Sequence, residues 1–388
     1  MALPFRYSLR SVAVRRSAAI LTALGIAMTV AVFAGVFALD RGFKSVLKPL
    51  GDKGVAVYIR RGSTSEGESA IQRATAEILT KERPEIAVDP DGTRLAAAEM
   101  YLAVYMNKVG GGQANVPLRG IQPTSLRIYG SDVRLVAGRW PEFGHDEVVA
   151  SKRLLERIED IALDAPLRLN VTPFKIVGIF EHSGSYGSEI WGDVDRLMRA
   201  LERPFYQRVV ARLKPNIDVA ALNQELEADP RTPIQVLTER DYLERQSIAL
   251  SATLAILGVF LTSVMSVAAV LGAINTMAAV VAARTHEIGV LLAIGYSPCA
   301  IFAGFLLEST AMGLLGGVLG LLLVWPLDGI ETGAMNFNTF TEIVFAFRIT
   351  PELAAQSFAL AAGLGLLGGA LPALRAARLA PVDALRRG

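Results

Sequence analysis

The sequence predicts a membrane α-helical bundle of four transmembrane helices carrying a large extracytoplasmic α+β domain. Three observations predict it: four long stretches nearly free of charge, one segment of ordinary soluble composition over 40–246, and arginine clusters near both ends of the sequence. Of 388 residues, 52% are apolar, and the mean hydropathy is +0.39. That is more apolar than a soluble globular chain. Lys plus Arg is 39 and Asp plus Glu is 37, so the net charge is +2. Near-balance argues against a nucleic-acid binder, and the high apolar content argues against disorder. The one cysteine, Cys299, excludes a disulfide scaffold.

Ser17–Leu39 holds 23 residues without a charge, and Ser247–Ala283 holds 37. Ile288–Leu327 holds 40 with Glu308 alone charged, and Leu353–Leu374 holds 22 with none. A run of about 20 apolar residues, rising about 1.5 Å each as a helix, covers the ~30 Å bilayer core. Only helices satisfy their own backbone groups there. The first run exceeds the 7–15-residue core of a signal peptide, roughly, so it is read as the first crossing, 17–39. The second would be ~55 Å long as one helix, so 247–283 is read as a crossing with a stalk extension that continues from Thr238–Gln246. The third is broken by Gly295-Tyr296-Ser297-Pro298, a turn signal. It divides into a short amphipathic segment, 284–298, and a crossing, 299–327. The fourth crossing is 353–374.

Arg6, Arg10, Arg15 and Arg16 precede the first crossing, within the segment 1–16. Arg375, Arg378, Arg386 and Arg387 lie in the tail, 375–388, against Asp383. The connection 328–352 carries Asp328, Glu331, Glu342 and Glu352 against Arg348. Basic excess marks the cytoplasmic side, so both termini are expected inside. The segment 40–246 and the short loop 328–352 are then outside, and an even number of crossings agrees.

The outside segment reads as mixed α and β. Strands are expected at Val55–Ile59, Tyr101–Met106, Gln207–Leu213 and Ile234–Leu237. A strand pair, Leu167–Asn170 and Phe174–Phe180, is expected across a turn containing Pro173. Helices are expected at Glu68–Glu82, Lys152–Ala162, Val194–Leu201 and Val219–Ala228. Gly110-Gly111-Gly112 reads as a loop tip.

No residue pattern in the sequence points to a catalytic or a metal-ligating role. No G-x-x-x-x-G-K-[ST] loop is present to cradle nucleotide phosphates. His145, His182 and His286 are scattered, with the last on the opposite side of the bilayer from the others. Glu308 is an ionisable group within a crossing, where such groups face protein or water. It reads either as a gating carboxylate or as a structural acid bonded to a neighbour. Gly313, Gly316, Gly317 and Gly320 form two overlapping G-x-x-x-G pairs, and Gly365 and Gly369 a third. Such spacing lets helix backbones approach closely, either inside one bundle or at a dimer seam.

Arg284-Thr285-His286-Glu287-Ile288-Gly289-Val290-Leu291-Leu292-Ala293-Ile294-Gly295 resembles the R-x-x-E-I-G-[VI]-L-x-A-x-G segment of the FtsX-like permeases. These are the membrane subunits of MacB-type (type VII) ABC transporters. Pro372-Ala373-Leu374-Arg375-Ala376-Ala377-Arg378-Leu379-Ala380-Pro381-Val382-Asp383-Ala384-Leu385-Arg386 is similar to the family's tail. Gly138-Arg139, Asp146-Glu147-Val148-Val149 and Phe174–Ile179 resemble the MacB-type periplasmic core. The resemblance implies a permease of the bacterial inner membrane that exports a drug, peptide, lipid or glycolipid. It also implies an ABC ATPase subunit that binds ATP and Mg, a second permease chain (identical or not), and a periplasmic adaptor as a further candidate partner. The chain itself is then not an enzyme and holds no cofactor. Arg284, Glu287, Ile288, Gly289, Leu291, Leu292 and Gly295 would form a coupling helix seated on the ATPase. Ile288, Leu291 and Leu292 make its apolar stripe. A lipoprotein-releasing permease and a non-transport regulator of cell-wall hydrolases are the alternatives.

Overall fold

The computed structural model describes residues 16–47, 54–182, 184–229, 231–336 and 339–380. Arg6, Arg10, Arg15 and the tail from Pro381 onward lie outside the described residues. The chain divides into two compact units. A membrane unit gathers the described residues up to Gly42, Ala252–Ile330 and those from Ala346. A sheet unit gathers those of Phe43–Ser251 and Glu331–Phe345.

Helix α1, Arg16–Val46, supplies the first apolar span, Ile20–Val46. Helix α6, Glu239–Ala283, runs 45 residues without interruption and supplies the span Leu250–Ala283. Helix α7 is Thr285–Ala293, α8 is Pro298–Val324 and α9 is Pro351–Ala377. All four long helices are long and apolar enough to cross a bilayer. Helix starts follow local chemistry. Ser297 caps α8 and Thr350 caps α9, each followed by proline at the first helical position, where a missing N–H costs nothing. The outward sides of these helices are apolar, as with Ile256, Phe260, Val264 and Leu271 on α6.

The sheet unit is built on ten strands. They are β1 Val55–Arg60, β2 Ala96–Asn107, β3 Gln113–Ile121, β4 Val133–Gly138, β5 Glu147–Ser151, β6 Pro166–Leu169, β7 Thr172–His182, β8 Ile190–Asp193, β9 Arg208–Arg212 and β10 Ile234–Thr238. Their order is β10-β1-β9-β2-β3-β8-β5-β7-β4, with β6 on β7. The pairs β3–β8 and β5–β7 are parallel and the others antiparallel. The twelve-residue β2 joins the two halves. Ala96–Glu99 pairs with β9, and Met100–Asn107 pairs with β3. Helices α2 Arg73–Lys81, α4 Val194–Ala200 and α5 Val219–Ala228 bury Leu79, Leu197 and Leu226 on one face. Helix α3, Pro123–Tyr129, buries Ile128 and Tyr129 on the other with Trp191 and Phe180.

The motif glycines have a steric reason. Gly138 pairs with Gly178 across β4 and β7, and Gly138 has φ +72. A Cβ on Gly178 would strike the carbonyl of Arg139. Arg139 in turn holds Glu147 through two hydrogen bonds of 2.7 and 2.5 Å, and Asp146 accepts from Arg196 at 2.8 Å.

Three local expectations are corrected. Lys152–Ala162 forms only a 3-10 turn at Lys152–Leu154, followed by turns. Leu154, Ile158 and Ile161 are buried at helical spacing. However, Val109 N–H donates to the Arg157 carbonyl and Glu159 N–H to that of Asn107, both at 2.9 Å, and these bonds hold the backbone out of a helix. The β6–β7 turn is Asn170-Val171, with Asn170 at φ 55, and Pro173 lies within β7 opposite Arg168. A two-residue turn with positive φ fits the twist of a hairpin. The segment 328–352, expected as a short loop, contains a hairpin, β11 Glu331–Asn336 and β12 Thr341–Ala346.

Strand β10 is a sheet edge, and α5 closes it with one side chain. Asn223 accepts from Val236 N–H and donates to its carbonyl, both at 2.8 Å. We expect Asn223→Leu to orphan both groups and to cost about 1–3 kcal/mol. A lowered unfolding midpoint of the detergent-solubilised chain would register this.

Candidate functional site

Helix α7 carries the segment singled out in the sequence. Gly295, at φ +98, ends it. Its N–H bonds the Leu292 carbonyl at 3.2 Å, and that of Tyr296 bonds Leu291 at 3.0 Å. This pair of bonds needs a left-handed residue after the helix, which glycine adopts without strain. Ile288 and Gly289 are buried, and Leu291 and Leu292 are half-buried against a cluster containing Met277, Ile301, Phe305 and Ala376. The apolar stripe is therefore spent within the membrane unit. The outward face of α7 is His286, Glu287, Val290 and Ala293, continued by Ile294.

Arg284 sits at the junction of α6 and α7, and its Nη1 lies 3.2 Å from Glu308 Oε2 on α8. Glu308 is buried. The two charges compensate each other where each alone would be costly. Glu308 thus has a charged neighbour at the junction of α6 and α7.

The glycine pairs serve two different faces of α8. Gly313 and Gly317 face α9. A Cβ on Gly313 would lie 2.5 Å from the Ala361 carbonyl and 3.0 Å from Gly365 Cα, and one on Gly317 2.8 Å from Ala361 Cβ. Gly316 and Gly320 face α1. Added Cβ atoms would lie 2.9 Å from the Ala23 carbonyl and 2.6 Å from that of Ala27. Gly365 and Gly369 meet Ser309, whose hydroxyl donates to the Gly365 carbonyl at 2.6 Å. All three pairs thus pack helices of one chain.

The sheet unit holds a charged core that the sequence reading did not find. Arg119 on β3 donates to both oxygens of Glu189 at 2.7 Å, to Glu66 at 2.8 and 3.0 Å, and to Glu99 at 3.3 Å. Arg208 on β9 donates to Glu99 at 2.9 Å and to Tyr129 Oη at 2.7 Å. Tyr129 donates to Glu99, and Trp191 Nε1 to Glu189 at 2.6 Å. Both guanidinium groups stack near the Tyr186 ring, at 5.2 and 5.3 Å. The first turns of α6 join this core. Tyr242 Oη accepts from Glu66 N–H at 3.1 Å, and Tyr186 donates to Glu239 at 3.0 Å. These residues are scattered in sequence, and charged side chains ordinarily read as surface, so no spacing signal marks them. Among the described residues, no group of three His, Cys, Asp or Glu side chains could hold a metal ion.

Comparison with known proteins places this architecture. The model of the MacB-like periplasmic core domain matches residues 19–229, and that of the FtsX-like permease C-terminal region matches 250–381. The chain belongs to the family of MacB-type, FtsX-like permeases. The permease is 25% identical to the macrolide export ATP-binding/permease protein MacB of Escherichia coli, over 97% of this chain and 59% of that one. It is 27% identical to the MacB of Pasteurella multocida, over 94% and 57%. The permease thus spans less than two thirds of the curated relatives it matches. Among solved structures, it is similar to the periplasmic region of MacB from Actinobacillus actinomycetemcomitans, with 10% identity and a TM-score of 0.37, covering 50% of this chain and 91% of that one.

Two measurements test these contacts in the permease. Arg284→Ala leaves a buried carboxylate, whereas Arg284→Ala with Glu308→Gln leaves none. A double-mutant cycle on thermal stability should show a coupling of about 1–3 kcal/mol. The second test concerns Glu66. Burial alone would raise its carboxyl, but the neighbouring Arg119 and Arg208 outweigh that and hold it below its ordinary 4.5. A depressed carboxyl stabilises the fold above its unfolded value and loses that contribution as pH falls through its folded value. Stability should therefore decline as pH drops below 4.5, and Glu66→Gln should flatten that decline in acid unfolding curves.

Proposed function

We propose that this permease is the membrane subunit of an ABC transporter, driven by ATP hydrolysis on a separate subunit, and that it exports its substrate by mechanotransmission. The observation that carries the reading is α6. It is one helix of 45 residues without a proline, and its first turns are bonded into the charged core at Tyr242 and Glu239. A continuous helix bonded at one end transmits a tilt applied along its length, since interior breaks come from proline or glycine pairs.

In this reading the arginines near both ends of the sequence are cytoplasmic and the sheet unit is periplasmic. The outward face of α7, centred on Val290, would seat in a groove of the ATPase, with ATP and Mg²⁺ bound by that subunit. Arg284 and Glu308 would keep α7 at a fixed angle to the crossings. ATP-driven closure of two ATPases would rock α7 in two permease chains, and α6 would carry the motion to the sheet unit. Substrate would then be moved on the periplasmic side, with an adaptor as the next partner. The relatives' name makes a macrolide the first substrate to test.

Capture of a P-loop ATPase with the tagged permease from native membranes is the primary experiment. Absence of any such ATPase would reject the reading. Val290→Glu should reduce that capture by about tenfold, as for a charge buried in an interface. Val264→Pro should break the helix. We expect it to abolish export of erythromycin while ATP hydrolysis by the complex persists, and intact export would reject the lever.

A further inference from the structure

The hairpin between α8 and α9 is not a surface loop. In β12, Ile343, Val344 and Phe345 are buried, and Phe345 meets Phe43 edge-on at 5.3 Å between centroids. The hairpin is also pinned by charge. Glu342 lies 2.6 Å from Lys108 Nζ and accepts from Arg157 Nη2 at 2.7 Å. Arg153 Nη1 donates to the Val344 carbonyl at 3.1 Å, and its Nε lies 3.6 Å from Glu331. Asn115 donates to the Phe340 carbonyl at 2.7 Å, and Tyr101 and Thr341 share a buried hydroxyl bond of 2.8 Å. Space for the carboxylate is provided by Gly333 on the facing strand. A Cβ there would fall on Glu342 Oε1 and lie 2.8 Å from Arg157 Nη2.

We infer that this hairpin is a clamp through which α8 and α9 also drive the sheet unit, with Glu342 as the positioning residue. The inference rests on the mechanical reading above and extends it, because that reading assigns transmission to α6 alone. The chain passes between the two units four times, at Gly42/Phe43, Ser251/Ala252, Ile330/Glu331 and Phe345/Ala346. Two of those passages are the ends of this hairpin. Without the clamp they would be slack connections; with it they are two further ties. Lys108 and Arg157 converge on one half-buried carboxylate, and Arg153 pairs with Glu331, so the clamp depends on charge as well as on apolar burial. Partly buried pairs of this kind are screened less than surface ones.

The test uses the full permease with its co-purified ATPase in lipid nanodiscs, in a Cys299→Ser background. Spin labels go on Val171, at the exposed β6–β7 turn, and on Leu327, after α8. Their separation is measured without nucleotide and with ATP, Mg²⁺ and vanadate. Two variants open the clamp by different routes: Glu342→Gln removes the charge, and Gly333→Ala displaces the carboxylate while keeping every charge. Hydrogen exchange of residues 331–346 should rise by about tenfold or more in both, with strands β1, β9 and β10 unchanged. The nucleotide-driven change in separation should fall by more than about half in both variants, with ATP hydrolysis within about twofold of the parent. A full change in separation with the hairpin released would overturn the inference while leaving the lever intact. Unchanged exchange in both variants would overturn the assignment to Glu342. No change in the parent protein would overturn the mechanical reading itself, and the clamp with it.

Discussion

The sheet unit depends on one contact set: two guanidinium groups sealed among three carboxylates. Arg119 and Arg208 face Glu66, Glu99 and Glu189, and all five are buried. Each ion out of water costs several kcal/mol, roughly, unless its hydrogen-bonding capacity is filled. Here Arg119 forms a fork with Glu189, the Tyr129 hydroxyl donates to Glu99 and Trp191 Nε1 donates to Glu189. The cluster sits where β2 passes from one half of the sheet to the other, so its geometry sets how the halves meet. A greasy core would tolerate several packings. Charges that must each find a partner tolerate far fewer, and they hold the first turns of α6 to the same arrangement.

The membrane unit is organised by a different force. In lipid no hydrophobic drive brings helices together, so close backbone approach has to do it. Helix α8 presents glycine on two faces, one against α1 and one against α9, and thereby sits between them. Helix α7 rests on the same unit through Ile288, Leu291 and Leu292, leaving a face with His286, Glu287 and Val290 outward. A short helix with its apolar stripe already occupied has its orientation set by the helices it rests on.

Much of this was legible in the residues. Four apolar runs made four helices because lipid leaves the backbone no alternative. The G-x-x-x-G spacings signalled close packing, although spacing could not say against which helix. Gly295 announced the end of α7. The strands at Val55, Gln207 and Ile234 followed from β-branched runs. What escaped was set by distant partners. Strand β8 is four residues with a glycine, and it becomes a strand because β3 and β5 flank it. Lys152–Ala162 has a helical apolar spacing, but the tip of the β2–β3 hairpin takes its backbone groups. The charged core was invisible for a similar reason: Glu66, Glu99, Arg119, Glu189 and Arg208 are each unremarkable alone. The hairpin at 331–346 hid within an acidic connection that read as solvated loop.

The same hairpin changes what counts as a separable piece of this molecule. A soluble fragment cut at the ends of α1 and α6 would look complete in sequence, yet it would omit β11 and β12. The surface beneath Ile343 and Phe345 would be stripped bare, the Tyr101 hydroxyl would lose Thr341, and Lys108 and Arg157 would face each other without a counter-ion. The domain is a discontinuous assembly stitched from two stretches of chain, and its integrity is inherited from the helices that deliver the second stretch.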